Sequence, residues 1–225
     1  MDIILIAGLW LPHTIWLEVA DELERLGHRP VPVALPGVDD GSGTASLDDQ
    51  VAAIVAAVDE ANRPFVVGHS AACTLAWIAA DRRPEGIDRV GLIGGFPGAD
   101  GEVYADFFEI HDGVMAFPGW EPFEGPDSDD LDGAARQSIE AVAVGVPEKV
   151  AKGVVRLTDE RRHNMPTIVV CPEFTPDQAK GWIDGGDVPE LERATNLSFV
   201  DIDSGHWPMV SKPRELAELL DKAAR

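Results

Sequence analysis

Residues 1–225 are expected to form a single α/β domain, a mostly parallel central sheet flanked by helices. Three observations lead there. Six short apolar runs have the length and content of buried strands, amphipathic stretches alternate with them, and one long interruption over residues 96–164 breaks the alternation. A chain of this size buries roughly 70% of its unfolded surface, so it needs no metal or disulfide staple.

The first run, "IILIAG" at residues 3–8, reads as a strand. "WLEVADELERLGH" then places Trp16, Val19, Leu23 and Leu26 at helical spacing, with Gly27 as the stop. "PVPVALPG" is the second strand, and Ser46 opens the next helix as its N-cap, with Asp49 in the first turn. "PFVVGHS" and "RVGLIGG" follow as strands, separated by a helix of small residues. Residues 96–164 contain the Pro-, Gly- and acid-rich "FPGWEPFEGPDSDDLDG" and helix-like segments near 134–144 and 149–157, without a strand of their own. A segment of this kind is expected to be a lid or cap over the end of the sheet. Its aromatics, Tyr104, Phe107, Phe108, Phe117, Trp120 and Phe123, are expected mostly to form the lid's own core. "PTIVVCP" and "LSFVDIDSG" are the last two strands, and Pro213 begins a closing amphipathic helix.

Composition narrows the function. A formal charge of -22 with no basic stripe disfavours nucleic acid and anionic membranes as partners, and is read as a solvated surface. No stretch approaches the ~20 apolar residues of a membrane span, and the first residues lack a basic leader. Cys73 and Cys171 both sit in apolar runs, as buried thiols in a reducing compartment do, so the protein is expected in the cytoplasm. Scattered histidines without H-E-x-x-H or paired-cysteine spacing give no metal site. "GGFPGADG" lacks the glycine order of a dinucleotide loop.

The chemistry is concentrated in "FVVGHSAACTLAWIAA". A serine at a sharp strand-to-helix turn needs small residues two before and two after it, and Gly68 and Ala72 flank Ser70 in that way. Such a turn projects the hydroxyl beyond the carboxyl end of the sheet, where ligands bind, and aims the Ala71 N–H at the same space. A serine becomes a nucleophile only when a base takes its proton. His206, in the short loop after the last strand, is placed for this; His13, His28, His111 and His163 lie in loops or at helix ends, and His69 is expected to point away from the cleft.

"GHSAA", "SGHWPMVSKPRELAELL" and "LIAGLWLPHTIWLEVADELERLGHRPVPVALPG" resemble the α/β-hydrolase superfamily, in particular its small esterase-like members akin to plant methylesterases and hydroxynitrile lyases. The resemblance implies a Ser-acid-His order of catalytic residues, no cofactor and a small-molecule ester substrate. It also implies oxyanion donors at the N–H groups of Leu9 and Ala71, although Ala7-Gly8 stands where the family often has His-Gly. The acid implied after the penultimate strand is Glu173 or Asp177, with Asp100, after "RVGLIGG", as a further alternative. Asp177 has another role available: with Thr175 as N-cap, Pro176 and Gln178, it falls in the first turn of a helix. Two other functions stay open, a cofactor-free lyase and a non-catalytic ligand-binding member. Trp207 follows His206 where the plant lyases typically have lysine.

Overall fold

The computed structural model describes all 225 residues. Strands β1 (Asp2–Ile6), β2 (Arg29–Pro32), β3 (Phe65–His69), β4 (Arg89–Ile93), β7 (Thr167–Cys171) and β8 (Leu197–Asp201) form one parallel sheet in the order β2-β1-β3-β4-β7-β8. The remaining strands, β5 (Val114–Met115) and β6 (Val146–Pro147), pair antiparallel within the insertion, which the sequence reading had expected to be strandless. Two-residue strands leave no periodic signal, and Pro147 hides one of them.

Helices α1 (Leu17–Arg25), α2 (Leu47–Glu60) and α3 (Ala72–Arg82) follow the first three sheet strands. Ser46 closes a full capping box with Asp49, and Gly27, with φ +89°, lies beyond the end of α1 in the left-handed region. In the insertion, α4 (Gly133–Val142) matches its expected place, whereas α5 (Glu148–Ala151) is a single turn. The chain leaves the helix there because Val154 bridges to Val103 and the Leu157 N–H donates to Asp100 Oδ1 at 2.8 Å. Helix α6 (Pro176–Asp184) starts from a Thr175–Gln178 capping box, and α7 (Pro189–Glu192), α8 (Pro208–Ser211) and α9 (Pro213–Ala223) complete the chain.

Both faces of the sheet are covered, so its strands read as continuous apolar runs; Ile3, Ile4, Leu5, Phe65, Val66 and Val67 are all fully buried. Behind α3 lies a buried ionic network. Arg162 is bonded to Glu190 (Nε to Oε2, 2.8 Å) and to Asp81 (Nη1 to Oδ1, 3.3 Å), while Trp77 Nε1 donates to Glu190 Oε2 at 2.9 Å. Arg162→Met would leave two carboxylates buried without their cation. We expect it to lower the unfolding free energy by about 3–5 kcal/mol in urea titrations; a loss below about 1 kcal/mol would mean that water reaches the site.

Candidate active site

The turn after β3 is as tight as the sequence demands. Ser70 has φ +55°, a left-handed conformation that costs a non-glycine residue about 1–3 kcal/mol and persists only where surrounding contacts hold it. The Ser70 N–H donates to Ile93 O at 2.8 Å, and Ser70 O accepts from the Cys73 N–H at 2.9 Å. A Cβ at Gly68 would stand 2.2 Å from Ala72 O, and Ala72 is itself fully buried. These contacts explain the two small residues around the serine.

Three side chains from three strand ends meet there. His206 Nε2 lies 2.9 Å from Ser70 Oγ, and His206 Nδ1 lies 2.7 Å from Glu173 Oε1. A carboxylate only accepts, so Nδ1 carries the proton in this arrangement and Nε2 is left to accept the serine hydroxyl. Glu173 Oε2 is buried without a partner. A Cβ at Gly94, which has φ +58°, would lie 3.2 Å from His206 Nδ1 and 3.4 Å from Glu173 Oε2, so the backbone after β4 closes over the pair. The other two candidate acids lie elsewhere. Asp177, with its side chain 95% exposed, pairs with Lys180, and Asp100 caps the Leu157 N–H.

Further residues, which the sequence reading did not single out, hold the His206 loop. The His206 N–H donates to Asp127 O and the Gly205 N–H to Asp130 Oδ2, each at 2.7 Å, so the insertion grips the loop from one side. The Asp127 carboxyl sits above its ordinary range because it is partly buried and close to the charge of Glu173, an effect that His206 opposes. From the other side, His69 Nε2 donates to His206 O at 2.7 Å. His69 was expected to point away from the cleft; instead it is buried, lines the cavity at Ser70 and lies with its ring centroid 4.9 Å from that of His206, the two rings tilted by 53°. Nothing in local spacing signals this, since the bond spans 137 positions.

Burial, and then the proximity of His206, hold the His69 pKa down at about 3. Below the ordinary histidine value of about 6.5, the unfolded chain therefore takes up a proton that the folded chain refuses. Stability from this source is intact above pH ~6.5 and is lost as the pH falls toward 3. We expect His69→Gln, which keeps an N–H donor and does not titrate, to lose less stability than wild type between about pH 6.5 and 4 in denaturant titrations; parallel curves would assign the acid sensitivity to other groups.

The turn after β1 abuts this centre. A Cβ at Gly8 would stand 2.9 Å from His69 Nδ1, and the N–H groups of Leu9 and Ala71 donate to no protein acceptor. Trp10, with φ +66°, occupies a turn position that usually takes glycine. Its ring N–H donates to Met115 O at 3.1 Å and its carbonyl accepts from the Val144 N–H at 2.8 Å, which ties the turn to the insertion.

Over Ser70 lies an apolar cavity of about 230 Å³. Phe107, Phe108, Phe117 and Phe123 from the insertion line it together with Trp10 and Trp207. Most of the insertion's aromatics had been expected to form its own core. They do pack on one another, with Phe108 and Phe117 each 6.0 Å from Phe123 and Phe117 5.6 Å from Trp120, but four of the six also face the cavity; Tyr104 is buried and Trp120 packs on Trp207 with ring centroids 5.2 Å apart.

Fold and centre together define a class, an α/β protein with a serine-centred site at the sheet's carboxyl edge. The chain belongs to the alpha/beta hydrolase family, whose model matches residues 3–219. Among solved structures, it is similar to an extracellular α/β-hydrolase from a Paenibacillus species described as sharing structural and functional homology with tobacco salicylic acid binding protein 2. That match has a TM-score of 0.81 at 18% identity and covers 99% of this chain and 98% of the other. A methylesterase from Arabidopsis matches with a TM-score of 0.76 at 14% identity, covering 100% and 98%. A pyrethroid hydrolase from Sphingobium faniae JZ-2 matches with a TM-score of 0.72 at 16% identity, covering 100% and 97%. No match was found among curated proteins. No helix is long and apolar enough to cross a membrane.

Proposed function

We propose that the protein is a serine carboxylic-ester hydrolase. The observation that carries this reading is the unbroken relay from Ser70 Oγ through His206 to Glu173, at 2.9 and 2.7 Å. Ser70 Oγ attacks the ester carbonyl as His206 Nε2 takes its proton, and Glu173 stabilises the imidazolium that results. The tetrahedral oxyanion is held by the Leu9 and Ala71 N–H groups, each donor worth about 2.7–4 kcal/mol of barrier. His206 then protonates the departing alcohol. Water, deprotonated by the same imidazole, attacks the acyl-enzyme and releases the acid. No cofactor takes part.

Residues 96–164 act in this reading as the cap over the site, because they supply aromatic walls to the cavity and anchors to the His206 loop. The names of the Arabidopsis neighbour, a methylesterase, and of the Sphingobium neighbour, a pyrethroid hydrolase, are in keeping with an ester substrate. Two free, buried cysteines suit a reducing cytoplasm.

The test is labelling with a fluorophosphonate followed by peptide mapping. Modification on Ser70, slowed by excess ester present during the labelling, is the expected result. A protein that remains unlabelled and hydrolyses no ester would be a non-catalytic member instead.

A further inference from the structure

Two hollows meet at Ser70. Besides the apolar cavity, an open cleft of about 350 Å³ is lined by Ser70 and Phe107, which it shares with the cavity, and runs along residues 94–98 after β4. Its floor lies against the nucleophile, since a Cβ at Gly95 would stand 2.6 Å from Ser70 O. At Gly98 the backbone is ordinary and a Cβ would meet nothing closer than 3.4 Å, so glycine is not required there by packing and leaves the cleft open.

The cleft offers little to a charged ligand. Thr74 Oγ1 already accepts the Gly98 N–H at 3.0 Å, and Glu102 Oε2 accepts the Ala99 N–H at 2.8 Å. At its edge Phe107 is 63% exposed and Val103 45%, apolar surface that contributes little to the core. Such surface beside a reactive serine fits a binding role better than a structural one. Volume then decides how much of a substrate each hollow takes. A cavity of ~150 Å³ holds one benzene, so the 230 Å³ cavity holds one substituted ring and not two.

Resting on the reading of Ser70 as nucleophile, we propose that the cleft is a second substrate subsite and that the preferred substrates are uncharged esters with a bulky apolar group on each side of the carboxyl linkage. One group enters the cavity and the other lies along residues 94–98 against Phe107. The Glu102 carboxylate at the cleft's edge, within a chain of formal charge -22, works against esters that carry a free carboxylate.

The test compares kcat/KM for methyl phenylacetate, benzyl acetate, benzyl phenylacetate and monobenzyl succinate. Benzyl phenylacetate should exceed each of the other three by at least tenfold. Gly98→Leu, which fills the cleft, and Phe107→Ala, which removes an exposed wall at little risk to folding, should each cut that excess to threefold or less. If benzyl phenylacetate is no better than the faster one-ring ester, or if its excess survives both substitutions, the second subsite is overturned while the hydrolase reading stands. Failure to turn over any of the four, with Ser70 unlabelled by fluorophosphonate, overturns both.

Discussion

Ser70→Ala is expected to remove ester hydrolysis almost entirely, with kcat falling by about 10⁶-fold. The only side-chain bond lost is that of Oγ to His206, and the backbone bonds that hold the left-handed turn remain, Ser70 N–H to Ile93 O and Cys73 N–H to Ser70 O. Alanine bears the same Cβ as serine, so the φ of +55° costs no more than before. The unfolding midpoint should therefore move little while turnover disappears, a separation that a structural serine would not produce. Both quantities are measurable on one preparation, by initial rates with an aryl ester and by denaturant titration. Undiminished hydrolysis in material free of contaminating esterase would place the nucleophile elsewhere.

What sequence reading recovered and what it missed divide by the range of the interaction. The strand runs, the Ser46 and Thr175 caps and the Gly68-Ser70-Ala72 spacing are set by neighbours within a few positions, and the structure has each of them in its place, except that the second strand ends at Pro32 and does not run through the rest of "PVPVALPG". His206 was legible for a related reason, since a loop after the last parallel strand must end at the same sheet edge as the loop after β3. The supports of that centre were not legible. Asp130 reaches Gly205 across 75 positions, His69 reaches His206 across 137, and Trp10 reaches Met115 across 105. No periodicity links such pairs. A usable signal did exist at Gly94-Gly95: adjacent glycines at a strand end mark a close backbone approach, and Gly94 is where any side chain would press on His206 and Glu173. The insertion's phenylalanines were ambiguous because packing against a core and lining a cavity call for the same residues. Phe108, Phe117 and Phe123 do both.

The acid is the assignment where sequence left the most open, and its neutralisation should produce the second-largest loss. Glu173→Gln preserves the shape of the side chain but removes the charge that stabilises the imidazolium, and its amide can bond to Nδ1 in the wrong tautomer. The corresponding change in a serine triad lowers kcat by about 10⁴-fold. Substrate binding should be nearly unaffected, because Glu173 lies behind the imidazole, bonded to Nδ1 while Ser70 faces Nε2. The loss should thus appear in kcat and not in KM. Two controls give the comparison its force. Asp177 is almost fully exposed and paired with Lys180, so Asp177→Asn should leave kcat within about twofold of wild type. Asp100 holds the Leu157 N–H, so Asp100→Asn should act on stability, by about 0.5–2 kcal/mol, before it touches catalysis. The order Glu173 far above Asp100 and Asp177 follows from one fact of position, that only Glu173 reaches Nδ1. If Glu173→Gln worked normally and either aspartate variant were crippled, the imidazole would have to turn to a different carboxylate during the reaction, and the 2.7 Å bond would describe a resting arrangement only.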